Sequence, residues 1–161
     1  MKTLYIVRHA KSSWADPGKS DFERPLNERG LRDAPMMAKR FAERKEPVDL
    51  MVSSSAARAI ATARIFASTL GEMRIREEQD LYLADVRTLM SQIEKLPESS
   101  RQAMLFGHNP GLSELVEYLS QTGPGDLPTC AIVRIDFSAE SWKEVSGGTG
   151  SLAWWDAPKS G

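Results

Sequence analysis

The sequence predicts an α/β domain, a three-layer α/β/α sandwich around a mostly parallel sheet with an antiparallel edge. Two observations predict it. Short apolar runs alternate with helix-periodic stretches as far as Leu119, the pattern of parallel strands joined by crossover helices. From Ala131 onward the helical period gives way to strict apolar–polar alternation, as in antiparallel strands with one wet face. With 161 residues and no repeat, linker or low-complexity stretch, residues 1–161 are expected to form one domain with a sizeable core.

Strand one is Thr3 to Val7, and the loop after it runs to about Leu26. Asn27 is placed to cap a helix in which Leu31, Ala34, Ala38 and Phe41 recur at spacings of three and four. Pro35 lies inside that pattern, so the helix either kinks there or begins near Asp33 with the proline in its first turn. Val48 to Ser53 reads as strand two, followed by a serine-rich turn and a helix with Ile60, Ala63, Ala67 and Leu70 on one face. A weak third strand around Met73 to Arg76 precedes a helix from about Val86, with Leu89, Ile93 and Leu96 in register. Gln102 to Phe106 is strand four and ends on the turn Gly107-His108-Asn109-Pro110. Asn109 then caps a helix with Pro110 at its first position and a stripe of Leu112, Leu115, Val116 and Leu119. Ala131 to Phe137, a run around Trp142 to Val145, and Leu152 to Trp155 beyond the turn Gly147-Gly148-Thr149-Gly150 read as antiparallel strands closing one edge. Trp142, Trp154 and Trp155 on that edge, and Trp14 in the first loop, read as packing residues, because no basic stripe accompanies them.

Composition excludes several function classes. Twenty-one basic against 22 acidic residues leave a net charge of −1, so no global field recruits nucleic acid or anionic lipid. The first apolar run stops at Arg8, too soon for a signal peptide, and no later run approaches the roughly 18 apolar residues of a membrane span. Cys130, the single cysteine, has no partner for a disulfide or a thiolate metal site. The expected compartment is the cytoplasm.

Three strand ends carry reactive residues: Arg8-His9 after strand one, Ser53-Ser54-Ser55-Ala56-Ala57-Arg58 after strand two, and Gly107-His108 after strand four. The carboxyl edge of an open α/β sheet is where such folds place ligands. A lone histidine near a core is ordinarily structural, and a lone arginine on a first helical turn is ordinarily a solvated charge. Both histidines of the chain and two arginines at one edge point instead to a nucleophile with a phosphate clamp. Arg58 opens a helix whose free N–H groups already attract anions.

The stretches Leu4 to Trp14, Arg24 to Gly30, Ser53 to Ala63 and Phe106 to Gly111 resemble, in order, the motifs of the histidine phosphatase superfamily. Arg8-His9-Ala10-Lys11-Ser12, the Gly-His-Asn-Pro turn and the small size are most similar to its compact SixA-like phosphohistidine phosphatases. The resemblance implies a phosphoglycerate mutase-like fold, His9 as the phosphate acceptor, and Arg8, Arg58 and His108 as binders of the phosphoryl oxygens. Arg24, Ser12, Asn109 and Lys11 are further positions for phosphate contact, each with a structural alternative: a capped turn for Arg24, a helix cap for Asn109. Phosphoryl transfer asks mainly for positioning and charge stabilisation, which forked guanidiniums supply. His9 must attack as neutral imidazole, so its other ring nitrogen should donate, most simply to a backbone carbonyl in the following turn. A bound anion would favour protonated His108, pushing the two rings toward different charge states. No metal or cofactor is implied, and no paired carboxylate cluster suited to magnesium appears.

The chain departs from the superfamily pattern in three places. Ala10 replaces the glycine usual after the motif histidine, and Ala15 stands where larger relatives carry asparagine. Where mutase-like relatives place a glutamate as general acid, this chain reads Gln79-Asp80-Leu81-Tyr82-Leu83-Ala84-Asp85. Asp80, Asp85, Asp21 or Glu23 are the alternatives, each equally readable as a surface carboxylate or helix cap. A missing acid suits a phosphohistidine substrate, because imidazole, with a conjugate-acid pKa of roughly 6.5, leaves already protonated whereas an alkoxide does not. Short connections leave no large lid to enclose a metabolite, so the expected partner is a phosphohistidine-bearing protein such as a phosphotransfer domain or carrier. The alternatives are a small-molecule phosphomonoesterase or mutase of the same superfamily, and a non-catalytic phosphoprotein-binding module.

Overall fold

β1 (Lys2–Arg8) is buried along nearly its whole length, and this fixes the layering. Leu4 and Ile6 point into one apolar cluster and Tyr5 and Val7 into another, so the strand needs cover on both faces. The structure, a computed structural model, describes residues 1–160. The chain continues through α1 (Glu28–Glu43), β2 (Leu50–Ser54), α2 (Ala57–Thr69), β3 (Ile75–Glu78), α3 (Val86–Glu94), β4 (Gln102–Gly107), α4 (Gly111–Ser120), β5 (Ile132–Phe137) and β6 (Gly150–Asp156). The sheet order is β3-β2-β4-β1-β5-β6. The first four of these strands are parallel, and β5 and β6 are antiparallel to their neighbours.

α1 and α2 cover one face through Met37, Ala38, Phe41, Ala63 and Phe66. α3 and α4 cover the other through Leu89, Ile93, Leu112, Leu115 and Leu119, giving the three-layer sandwich. At about 25 cal/mol per Å² these two apolar layers are the main stabilising contribution of the fold. α1 is capped by Asn27, whose side chain accepts from the Gly30 amide at 2.9 Å, and it continues through Pro35. The proline removes an amide that would have bonded the Leu31 carbonyl; both residues lie on the exposed face of α1, away from the core. α4 begins at Gly111, one residue beyond Pro110, while the Asn109 side chain accepts from the Ser113 amide and hydroxyl.

Two expectations are corrected. The run around Trp142 to Val145 is no strand but a 3₁₀ turn, Trp142–Glu144, in which Ser141 and Glu144 form a capping box and the fully buried indole donates to the Ser100 carbonyl. Trp14 is not packed inside: it is 75 % exposed, and its ring lies on the Arg24 guanidinium. Trp142 and Trp154 do pack, whereas Trp155 on the edge strand packs only in part and is 41 % exposed. No helix among the described residues is long and apolar enough to cross a membrane.

Candidate active site

β2, β4 and β1 are adjacent in the sheet, with Ser53 beside Phe106 and Arg8 beside Gly107 in register. The residues that follow their carboxyl ends therefore converge on one edge. His9 is held on both sides, its amide donating to the Gly107 carbonyl at 3.1 Å and its carbonyl accepting from the Cys130 amide at 3.0 Å. Its ring is oriented at both nitrogens. Nδ1 lies 2.7 Å from the Ala10 carbonyl, which can only accept, so the proton sits on Nδ1. Nε2 accepts from Arg58 Nε at 3.3 Å, so the free lone pair is on Nε2. This is the neutral tautomer expected from the sequence, with the predicted turn carbonyl supplying the acceptor.

Arg58 lies in the first turn of α2, whose N-cap, Ala56, makes no side-chain cap, so the helix brings an unneutralised positive end to the same edge. Its Nη1 donates to the Asp21 carbonyl at 2.7 Å and its Nη2 to the Asp21 carboxylate at 3.0 Å. Arg8 donates through Nη1 to the Leu127 carbonyl at 2.7 Å, while its Nε is buried without a hydrogen-bond partner. His108 pairs through Nε2 with Ser54 Oγ at 2.8 Å, and its Nδ1 is likewise buried and unpartnered. The two imidazole centroids are 5.2 Å apart. Burial pushes His9 down to about 4, helped by Arg58, Arg8 and Arg24 and opposed by the Ala10 hydrogen bond. Burial likewise pushes His108 down to about 3, with His9 and Arg58 adding to the effect. Both rings are neutral at neutral pH.

Asp21 is the carboxylate that reaches this cluster. The Tyr82 hydroxyl, then Arg24 and Arg58, hydrogen-bond its carboxylate and hold it well below the usual carboxylate range. Asp85 instead caps α3, accepting from the Thr88 amide, and Asp80 is exposed on a 3₁₀ turn. Glu23 closes a capping box with Ser20. Arg24 is buried, and its donors go to Ser13 O, the Asp21 carboxylate and Ser12 Oγ, so it ties the first loop together. Ser12 bridges to Leu26, and Lys11 offers its carbonyl to the Asn27 amide. Asn109 donates to the Leu127 carbonyl, the acceptor it shares with Arg8.

The structure thus brings Arg8, His9, Arg58 and His108 together with Asp21 and Arg24. Two neighbours escape sequence reasoning. Tyr82 stands edge-on to His108 at 5.4 Å and donates to the Asp21 carboxylate; it lies between Asp80 and Asp85, and nothing in its sequence position marks it as a partner of Asp21. Ser54 lies in the serine-rich turn, where nothing in the sequence separates it from Ser53 and Ser55. Among the described residues no group of three or more His, Cys, Asp or Glu is arranged to hold a metal ion.

The model of the histidine phosphatase superfamily (branch 1) matches residues 4–85, just over half of the chain. The chain belongs to the histidine phosphatase superfamily. This histidine phosphatase is similar to a crystal structure of a candidate phosphohistidine phosphatase SixA from Agrobacterium tumefaciens, with 29% identity, 98% of each chain covered and a TM-score of 0.81. It has the same fold as a protein histidine phosphatase SixA complexed with tungstate, at 21% identity, 97% of each chain covered and a TM-score of 0.82. An uncharacterized Mycobacterium tuberculosis protein, Rv1276c, is 28% identical over 95% of this chain and 100% of its own length. As a member of the histidine phosphatase superfamily, this chain is a hydrolase.

Proposed function

We propose that this histidine phosphatase removes phosphate from a histidine of a partner protein by way of a phosphohistidine intermediate on His9. Nε2 of His9 attacks phosphorus while the bond to the substrate imidazole breaks. That imidazole, already protonated on its other nitrogen, leaves neutral with the bonding electron pair. Water then attacks the phosphorus on His9, the P–Nε2 bond breaks, and phosphate leaves with the water proton passing to it or to solvent. Because Nδ1 keeps its proton on the Ala10 carbonyl, phospho-His9 also expels a neutral imidazole, so neither half-reaction requires a carboxylic acid. Arg8, Arg58 and His108 meet the phosphoryl oxygens, and the anion raises the affinity of His108 for a proton.

The observation that carries the choice of substrate is the state of Asp21. Hydrogen-bonded by Tyr82, Arg24 and Arg58, it is held as an anion and is a poor donor to an alkoxide leaving group. A substrate whose leaving group carries its own proton fits that site, and an alkyl ester does not. Competitive turnover of a phosphohistidine-bearing carrier protein beside alkyl phosphate esters tests the reading: preference for the carrier supports it, and faster ester hydrolysis reassigns the enzyme to metabolites.

A further inference from the structure

Thr62 is fully buried, yet its hydroxyl both accepts and donates, to groups from both halves of the site. It accepts from the Ala10 amide at 3.0 Å and donates to the Arg58 carbonyl at 2.8 Å. The donation to the residue four positions earlier is ordinary for a helical threonine. The acceptance is not local: it joins the turn after β1 to the first turns of α2, across 52 residues of sequence. The peptide on one side of Ala10 is thereby pinned through its amide, while the carbonyl of the same residue takes the Nδ1 proton of His9 at 2.7 Å. On the other side, the backbone of Arg58 is anchored by the same hydroxyl, while its side chain reaches His9 Nε2 at 3.3 Å.

We infer that Thr62 is a positioning residue that fixes the tautomer of His9 and its separation from Arg58 through one hydroxyl. The inference rests on His9 being the nucleophile. A ring whose Nδ1 acceptor drifts can move its proton to Nε2, where no lone pair remains for phosphorus. Thr62 touches neither substrate nor phosphorus, and its effect passes wholly through Ala10 and Arg58. A valine at this site keeps the shape but leaves the buried Ala10 amide without its partner, whereas the Arg58 carbonyl keeps its place in the α2 hydrogen-bond ladder. A serine keeps both hydrogen bonds and loses one methyl.

The test compares Thr62→Val, Thr62→Ser and His9→Ala on p-nitrophenyl phosphate and phosphoimidazole, with the tautomer of His9 read from ring ¹⁵N shifts and folding from circular dichroism. Groups that orient a metal-ligating histidine at second hand contribute roughly 10- to 100-fold, and the same scale is expected for a nucleophilic one. Thr62→Val should therefore lose roughly that much kcat/KM, chiefly in kcat, and show the Nε2-protonated tautomer. Thr62→Ser should stay near wild type in both. If folded Thr62→Val keeps wild-type kcat and the Nδ1-protonated ring, the positioning role is wrong. A role in folding alone would lower thermal stability in Thr62→Val with its tautomer unchanged, which also overturns the inference. Turnover retained by His9→Ala would instead remove the nucleophile reading, whatever Thr62 does.

Discussion

Arg58 Nε lies 3.3 Å from His9 Nε2, so the guanidinium of α2 rests on the one ring nitrogen that carries a lone pair in the histidine following β1. Burial, helped by this cation, keeps the imidazole unprotonated, and in the proposed mechanism a phosphoryl oxygen would exchange for the ring as the guanidinium's partner. Arg58→Ala should lower kcat/KM by about 10²- to 10³-fold, the scale of removing one oriented donor from a transition-state anion. Arg58→Lys should recover little, since a point charge cannot reproduce the fork that Asp21 orients. Steady-state kinetics on phosphoimidazole measure both.

The two histidines give the pH dependence its sign. His9 is pushed down to about 4 and His108 to about 3, against roughly 6.5 when unfolded. Between about 6.5 and 4 the unfolded chain binds protons that the folded chain refuses. The stability conferred by neutral burial is thus whole above 6.5 and falls as pH drops through that window, by up to about 1.4 kcal/mol per pH unit per ring. Urea unfolding at pH 7 and pH 5 should show the loss. The acidic limb of kcat/KM should lie near 4; a limb at 6.5 would mean that the His9 ring is solvated in solution.

Asp21 separates positioning from acid catalysis. Asp21→Asn removes the charge that orients Arg58 and Arg24, so kcat/KM should fall by about tenfold for every substrate alike. The dependence of rate on leaving-group pKa should keep its slope. A selective loss with poor leaving groups would make Asp21 the general acid.

Two glycines are fixed by close backbone approach. A Cβ on Gly30 would stand 2.2 Å from the Lys11 carbonyl oxygen, and one on Gly111 2.0 Å from that of Ala84. Gly30→Ala and Gly111→Ala should each destabilise by about 2 kcal/mol, lowering Tm by about 4–8 °C in a domain of this size. Gly30→Ala should also reduce activity, because Lys11 belongs to the loop that Arg24 ties to Asp21; differential scanning calorimetry and kinetics separate the two effects.

Much of this was legible in the sequence for physical reasons that can be named. Strands β1, β2 and β4 are apolar on both faces, so their abrupt polar ends stand out and locate the edge where Arg8, His9, Arg58 and His108 meet. The Nδ1 contact of His9 was predictable because a neutral nucleophile needs a nearby acceptor, and the following turn offers one. Trp142 to Val145 reads as a strand only by its place between two strands; its two apolar residues are three apart, the spacing of a helical turn, and Ser141-x-x-Glu144 carries a capping signal. Arg24 and Trp14 could not be paired from spacing, since the loop between them folds by long-range ties. Tyr82 and Thr62 act through hydroxyls on other elements, and such contacts leave no periodic trace.

The most direct test is capture of the intermediate. Rapid mixing of the protein with a ³²P-labelled phosphohistidine carrier, followed by an alkaline quench, should leave acid-labile label on His9 in the wild type. The His9→Ala protein, folded by circular dichroism, should carry none and turn over nothing. Label on another residue, or turnover without His9, would contradict the account.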